Sequence, residues 1–241
     1  MHSIKDNIYK KDGYDTSLSL SIEELKILKK VIRDQYLNRI KKYKLEYHTG
    51  FKEKEMNSYH ELSHLIDHKE FWPKNFRCLS QKSINRIKKF SFMSEIKSQF
   101  GEFYISDEDN IGREEIYWRL VRPENSNDVG PLHADVWFWE LNYPKSIKDK
   151  RIKVWIPIFC DVSDTGFRFL PNSHKESWNY EKKFKDGKYK PIFEIDESKI
   201  KIEKFKGKPG DIIIFNDRLL HGGYTTTSKT RVSLELTIII K

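Results

Sequence analysis

The residues with the most chemical promise lie in two separate stretches. In PLHADVWFWE (131–140), His133 and Asp135 stand two positions apart in a run rich in β-branched and aromatic residues. Such a run reads as a strand, and alternate strand side chains share a face. An imidazole and a carboxylate about 6–7 Å apart at Cβ can converge on one metal ion. Near the other end, KPGDIIIFNDRLLHGG (208–223) supplies His221, and TRVSLEL (230–236) follows with Arg231. Two histidines and one carboxylate leave coordination positions open, which is the facial triad suited to non-haem Fe(II) and dioxygen. In RVSLELTIII, Arg231, Ser233, Glu235 and Thr237 share one face, and Val232, Leu234, Leu236 and Ile238 the other. If the polar face lines an enclosed site, Arg231 and Ser233 present a guanidinium fork and a hydroxyl to a carboxylate.

A second motif competes. HELSH at 60–64 matches the zincin pattern, with His60 and His64 on one helix face and Glu61 as general base. His68 continues the row. Against it, Asp67 and Glu70 stand where the extended motif needs Gly and His, and Leu62, Leu65 and Ile66 supply a core face. The acidic turn at Asp107, Asp109 and Asn110 fails as a calcium loop, because Ile111 and Trp118 replace oxygen ligands.

The elements that must position these residues divide the chain. Ser21 and Glu24 form a capping box, and Leu25, Leu28, Ile32, Tyr36 and Ile40 keep helical spacing to about Tyr43. Further helices are expected over 55–70 and 82–99, the latter ended by Gly101, with residues 1–20 irregular. Beyond Gly101 the pattern turns to strands: 103–106, 115–122, 132–139, 152–160, 166–170, 191–195, 199–205, 211–216, 219–225 and 231–240. The expected architecture is a single domain over 1–241. A helical layer (1–100) packs on a jelly-roll core (101–241), mainly β.

Composition narrows the function. With 241 residues and 37% apolar content, a core forms without disulfides. No run reaches the roughly 18 apolar residues of a membrane span. Two cysteines and a polar start make the cytoplasm the expected setting. The net charge of +9 sits mostly on lysines, clustered at Lys145–Lys153, Lys182–Lys190 and Lys199–Lys208. No nucleic-acid module accompanies them, so the reading is a solvated surface or a positive rim around an anionic substrate.

Taken in order, these residues resemble the Fe(II)/2-oxoglutarate-dependent dioxygenases, in particular the phytanoyl-CoA dioxygenase-like branch. The resemblance covers most of the chain. It runs from DGY (12–14) and LSIEEL (20–25) through HAD (133–135), VWIPIFCDVSDTGFRFLPNSH (154–174) and the segment bearing His221 to Arg231. It implies a double-stranded β-helix (jelly roll, cupin-like). Fe(II) would sit on His133, Asp135 and His221. 2-Oxoglutarate and O2 would be cosubstrates, with the distal carboxylate on Arg231 and Ser233. Oxidative decarboxylation to succinate and CO2 would drive hydroxylation of an unactivated carbon of a small, anionic metabolite. Asp135 argues against the halogenating relatives, and Thr237 against the nucleic-acid demethylases, which place a second arginine there. Relatives often carry a Lys, Asn or Gln before HxD that touches the cosubstrate; Arg119 or Arg122 would substitute here. Trp137 is expected on the ligand face as a pocket wall, with 141–152 and 175–190 as a lid. The alternatives are a zinc metallohydrolase built on HELSH and a non-catalytic metal-binding β-sandwich module.

Overall fold

The computed structural model describes residues 3–143, 148–185 and 187–241. Its strands are β1 (Tyr14–Asp15), β2 (Phe103–Ile105), β3 (Tyr117–Val121), β4 (Lys150–Phe159), β5 (Phe167–Phe169), β6 (Glu181–Lys185), β7 (Lys188–Ile192), β8 (Glu203–Lys204), β9 (Ile213–Asn216), β10 (His221–Gly223) and β11 (Arg231–Ile240). The larger sheet runs β1-β9-β4-β11-β2, with β3 also paired to β11; the smaller runs β10-β5-β8. All these pairings are antiparallel. This is the double-stranded β-helix, and the cavity lies between the sheets.

The layering follows from the alternation in β11. Val232, Leu234, Leu236 and Ile238 are buried in one large core with the helices, alongside Leu28, Ile32, Tyr36 and Ile40 of the helix Ile22–Tyr43. That helix starts at Ser21 with both capping-box hydrogen bonds, as the sequence predicts. The opposite face of β11 carries Arg231, Ser233, Glu235 and Thr237, and all four are buried as well. The polar face therefore lines an interior rather than facing water.

Four expectations are corrected. Residues 132–139 are not a strand: His133 makes an isolated bridge to His221, and Asp135–Asn142 is a helix. Short apolar runs are ambiguous between strand and helix. Here a carboxylate at the helix start and a Val136 amide bonded to the Asp217 carbonyl (3.0 Å) favour the helix. The helix expected over 55–70 is a chain of short turns, broken where Ile66 is extended. That over 82–99 is two helices, Gln81–Ile87 and Ser91–Phe100, parted at an extended Phe90. The N-terminal segment holds a helix, Ile4–Tyr9, whose Ile4 and Ile8 are buried. In the expected lid, β6 and β7 form a hairpin, while 144–147, including Lys145, lie outside the described residues.

Candidate active site

The fold brings His133, Asp135 and His221 together from three elements. Their ligand atoms lie within 4.8 Å of one another, and among the described residues no other such trio could hold a metal ion. His133 and His221 exchange both backbone hydrogen bonds, each 2.9 Å. Such an approach needs the glycines that follow His221. A Cβ on Gly222 would stand 3.1 Å from the Pro131 carbonyl oxygen, and one on Gly223 3.0 Å from Val129.

The donor set is chemically prepared. His133 Nδ1 lies 2.9 Å from the Pro131 carbonyl, and His221 Nδ1 2.9 Å from the Leu219 carbonyl. A carbonyl only accepts, so each Nδ1 carries the proton and each Nε2 keeps its lone pair for a metal. Burial pushes His221 down to about 4, which keeps it neutral. Asp135 Oδ2 is buried with no hydrogen-bond partner and stands 3.5 Å from His221 Nε2; Oδ1 stands 3.8 Å from His133 Nε2. Those separations are too long for hydrogen bonds but fit three donors around one cation.

A cavity of about 410 Å³ opens on these ligands and reaches Arg231, Trp155, Glu235 and Arg119. Arg231 is 2% exposed, and its guanidinium stacks 5.5 Å from the Trp155 ring. Nη1 donates to Ser233 Oγ at 3.4 Å, and Nε has no partner. Among the described residues no carboxylate lies within salt-bridge range of it, and burial pulls its pKa down to about 10. Gly166 makes room for it: at φ +78, a Cβ there would fall 2.6 Å from Arg231 Cδ. A buried, under-partnered guanidinium is costly, and an arriving carboxylate relieves that cost.

The other predicted residues separate. Arg119 lines the cavity and pairs through Nε with Glu235 Oε1 (2.8 Å), whose Oε2 accepts from Tyr117 Oη at 2.9 Å. Arg122 does not line it; its bidentate bonds, both 2.8 Å, go to Asp128. Ser233 is fully buried between Arg231 and Glu235 rather than on the cavity wall. Trp137 is corrected outright: the helix turns it away, to stack on Tyr180 (4.7 Å) and pack at a tilt against Phe193 (5.1 Å) at the base of the β6–β7 hairpin. Phe138 takes the place expected for it, edge-on to the His133 ring.

Sequence reasoning missed Lys153, Glu108 and Lys74. Lys153 Nζ bonds Glu108 Oε1 at 2.8 Å and approaches Asp135 Oδ2 at 3.8 Å; Lys74 Nζ contacts Glu108 at 3.0 Å and Asp109 at 2.9 Å. Burial alone would raise Glu108, but Lys153 and Lys74 hold its carboxyl well below the usual range. The available signal was a lysine inside the apolar strand RIKVWIPIF, paired across β11 with Thr237 on the polar face.

HELSH contributes to no group of three metal donors among the described residues. His60 bonds Thr230 Oγ1 through both its amide and Nδ1 (3.0 Å each), and Glu61 pairs with Lys54. His68 lies against Tyr59 Oη (2.9 Å) and near Asp128.

A family model described as phytanoyl-CoA dioxygenase (PhyH) matches residues 34–233. The chain belongs to this family. It is a 2-oxoglutarate-dependent dioxygenase, with Fe(II) as cofactor and 2-oxoglutarate and O2 as cosubstrates. No curated protein matches the chain. Its fold is similar to that of EctD from S. alaskensis with 2-oxoglutarate and 5-hydroxyectoine (14% identity, TM-score 0.61, covering 100% of this chain and 76% of that one). It is also similar to AviO1 from Streptomyces viridochromogenes Tue57 (11%, TM-score 0.56, 98% and 93%) and to the non-heme monooxygenase ThoJ in its apo form (12%, TM-score 0.57, 95% and 74%). No helix among the described residues is long and apolar enough to cross a membrane.

Proposed function

We propose that His133, Asp135 and His221 hold Fe(II), that Arg231 binds the distal carboxylate of 2-oxoglutarate, and that the enzyme hydroxylates an unactivated carbon of a small metabolite. The observation that carries this reading is Arg231: a buried cation without a carboxylate partner, opening on the same cavity as a trio of prepared metal donors. Fe(II) at these ligands supplies dioxygen activation coupled to conversion of 2-oxoglutarate to succinate and CO2.

The protein's own groups do the positioning. The Pro131 and Leu219 carbonyls fix the two imidazoles in the metal-binding tautomer. Lys153 balances charge beside Asp135. Trp155 shields the Arg231 guanidinium from water, and Ser233 fixes its pose. Of the two arginines weighed, Arg119 borders the cavity and is held there by Glu235, while Arg122 is spent on Asp128. Two free cysteines support a cytoplasmic setting.

Adding Fe(II) and 2-oxoglutarate without oxygen tests the reading and should give a visible charge-transfer band. Asp135→Ala and His221→Ala should lose the band and succinate formation together. Normal turnover in either variant would remove the metal assignment.

A further inference from the structure

The ladder between β10 and β5 is antiparallel and pairs His221 with Phe169. One step along it, the Leu170 amide bonds the Leu220 carbonyl directly (2.9 Å). A regular pair would return a second direct bond from the Leu220 amide to the Leu170 carbonyl. Here that half is bridged by a side chain. The Leu220 amide donates to Ser173 Oγ (2.8 Å), and Ser173 Oγ donates to the Leu170 carbonyl (2.6 Å). Asn172, left-handed at φ +65, turns the chain back just before this serine. We propose that Ser173 is a positioning residue for the metal centre: through the Leu219–Leu220 peptide, its hydroxyl holds the His221 imidazole in the metal-binding tautomer. The inference rests on the metal assignment proposed above.

One peptide plane connects the two side chains. The N–H that Ser173 receives is that of Leu220, and the carbonyl that His221 Nδ1 meets at 2.9 Å is that of Leu219. Both belong to the same rigid trans unit, with N–H and C=O on opposite edges. Holding one edge therefore aims the other. Without the hydroxyl the plane is free to rotate, which carries the Leu219 oxygen off the line of Nδ1. The Nδ1–H tautomer then loses the acceptor that selects it.

Polarisation acts in the same direction. A peptide whose N–H donates becomes a stronger acceptor at its oxygen. From His221 through the peptide and the Ser173 hydroxyl to the Leu170 carbonyl, every donor points away from the imidazole, and Nε2 is left with its lone pair. Ser173, Leu219 and Leu220 are all buried, so bulk water does not replace a lost hydroxyl. A purely fastening role has its own marker nearby. Trp178 Nε1 donates to the Ser173 carbonyl (2.9 Å) and so ties down the same turn without touching Leu220.

Four variants separate positioning from fastening. Ser173→Ala and Ser173→Cys remove the hydroxyl, the second keeping its size in case the first fails to fold. Ser173→Thr retains it, and Trp178→Phe loosens only the turn. Ring nitrogen-15 NMR of histidine-labelled, metal-free protein reads the His221 tautomer. Fe(II), titrated anaerobically with 2-oxoglutarate present and followed by the charge-transfer band, reads affinity. Wild type, Ser173→Thr and Trp178→Phe should share one tautomer, Nδ1–H, and one affinity. Ser173→Ala and Ser173→Cys should show a share of the Nε2–H form. They should also need about three- to tenfold more Fe(II), below the 10–100-fold cost of losing a ligand's own partner, because the carbonyl itself remains. A folded Ser173→Ala or Ser173→Cys with wild-type tautomer and affinity would overturn the inference alone, as would equal weakening by Trp178→Phe. Absence of the band in wild type would instead overturn the metal assignment, and the inference with it.

Discussion

Two arginines beside the polar face of β11 are treated in opposite ways. Arg119, on β3 across the ladder from Ser233, keeps 42% of its side-chain surface yet pairs closely with Glu235. Arg231, on β11 itself, is almost wholly buried, with a long bond to a serine hydroxyl and the Trp155 ring beside it, but no carboxylate in salt-bridge range among the described residues. Solvation alone would favour the reverse, since burial without a counter-ion is the expensive arrangement. The difference teaches which cation is complete and which awaits a ligand. Arg119 helps to hold the cavity wall together, and Arg231, on the function proposed above, is poised for an anion that the protein does not itself supply.

Removing each guanidinium sharpens the contrast. Arg119→Met leaves the Glu235 carboxylate buried beside Tyr117 without its main counter-charge, and should lower unfolding stability by about 1–3 kcal/mol. Arg231→Met removes a buried charge whose desolvation outweighs the attraction of Glu235, so the ligand-free protein should melt at the same temperature or higher. Denaturant titration of both variants without 2-oxoglutarate checks this, and equal destabilisation would erase the distinction.

Acid separates the two arginines more gently. Burial would raise Glu235, but Arg119 and Lys153 hold it down to about 2, below its ordinary value of 4.5. A carboxyl depressed in the folded state stabilises fully above its unfolded pKa and loses that contribution as pH falls toward the folded one. Wild type should therefore lose stability between about pH 4.5 and pH 2, and Glu235→Gln, less stable at neutral pH, should lose less over that window. The smallest effect belongs to HELSH. Glu61→Gln touches only exposed contacts, the ion pair with Lys54 and a hydrogen bond from Ser58, and 2-oxoglutarate turnover should be unchanged.

How much of this was legible beforehand depends on where the constraint lies. The alternation in β11 is local, so its two faces and the position of Arg231 could be read from period two. The trio of donors was legible by residue type, but the route to it was not. Asp135 reaches His133 through a helix start, not strand alternation, because the packing of Trp137 on Tyr180 and Phe193 lies some forty or more residues away in sequence. Trp137 was misplaced for the same reason. The Lys153–Glu108–Lys74 chain joins three distant segments, and only tertiary structure shows that their charges meet.

The central claim is that Arg231 receives the distal carboxylate of 2-oxoglutarate beside the His133–Asp135–His221 trio. Titrating 2-oxoglutarate anaerobically into Fe(II)-loaded wild type and Arg231→Ala, followed by the charge-transfer band, tests it most directly. Charge-assisted hydrogen bonds contribute roughly 1.5–3 kcal/mol each, so losing a bidentate pair should raise the half-saturating concentration about a hundredfold or more, with Fe(II) affinity nearly unchanged. Arg231→Lys should recover part of the loss by restoring charge without the fork. Superimposable curves for wild type and Arg231→Ala would contradict the account.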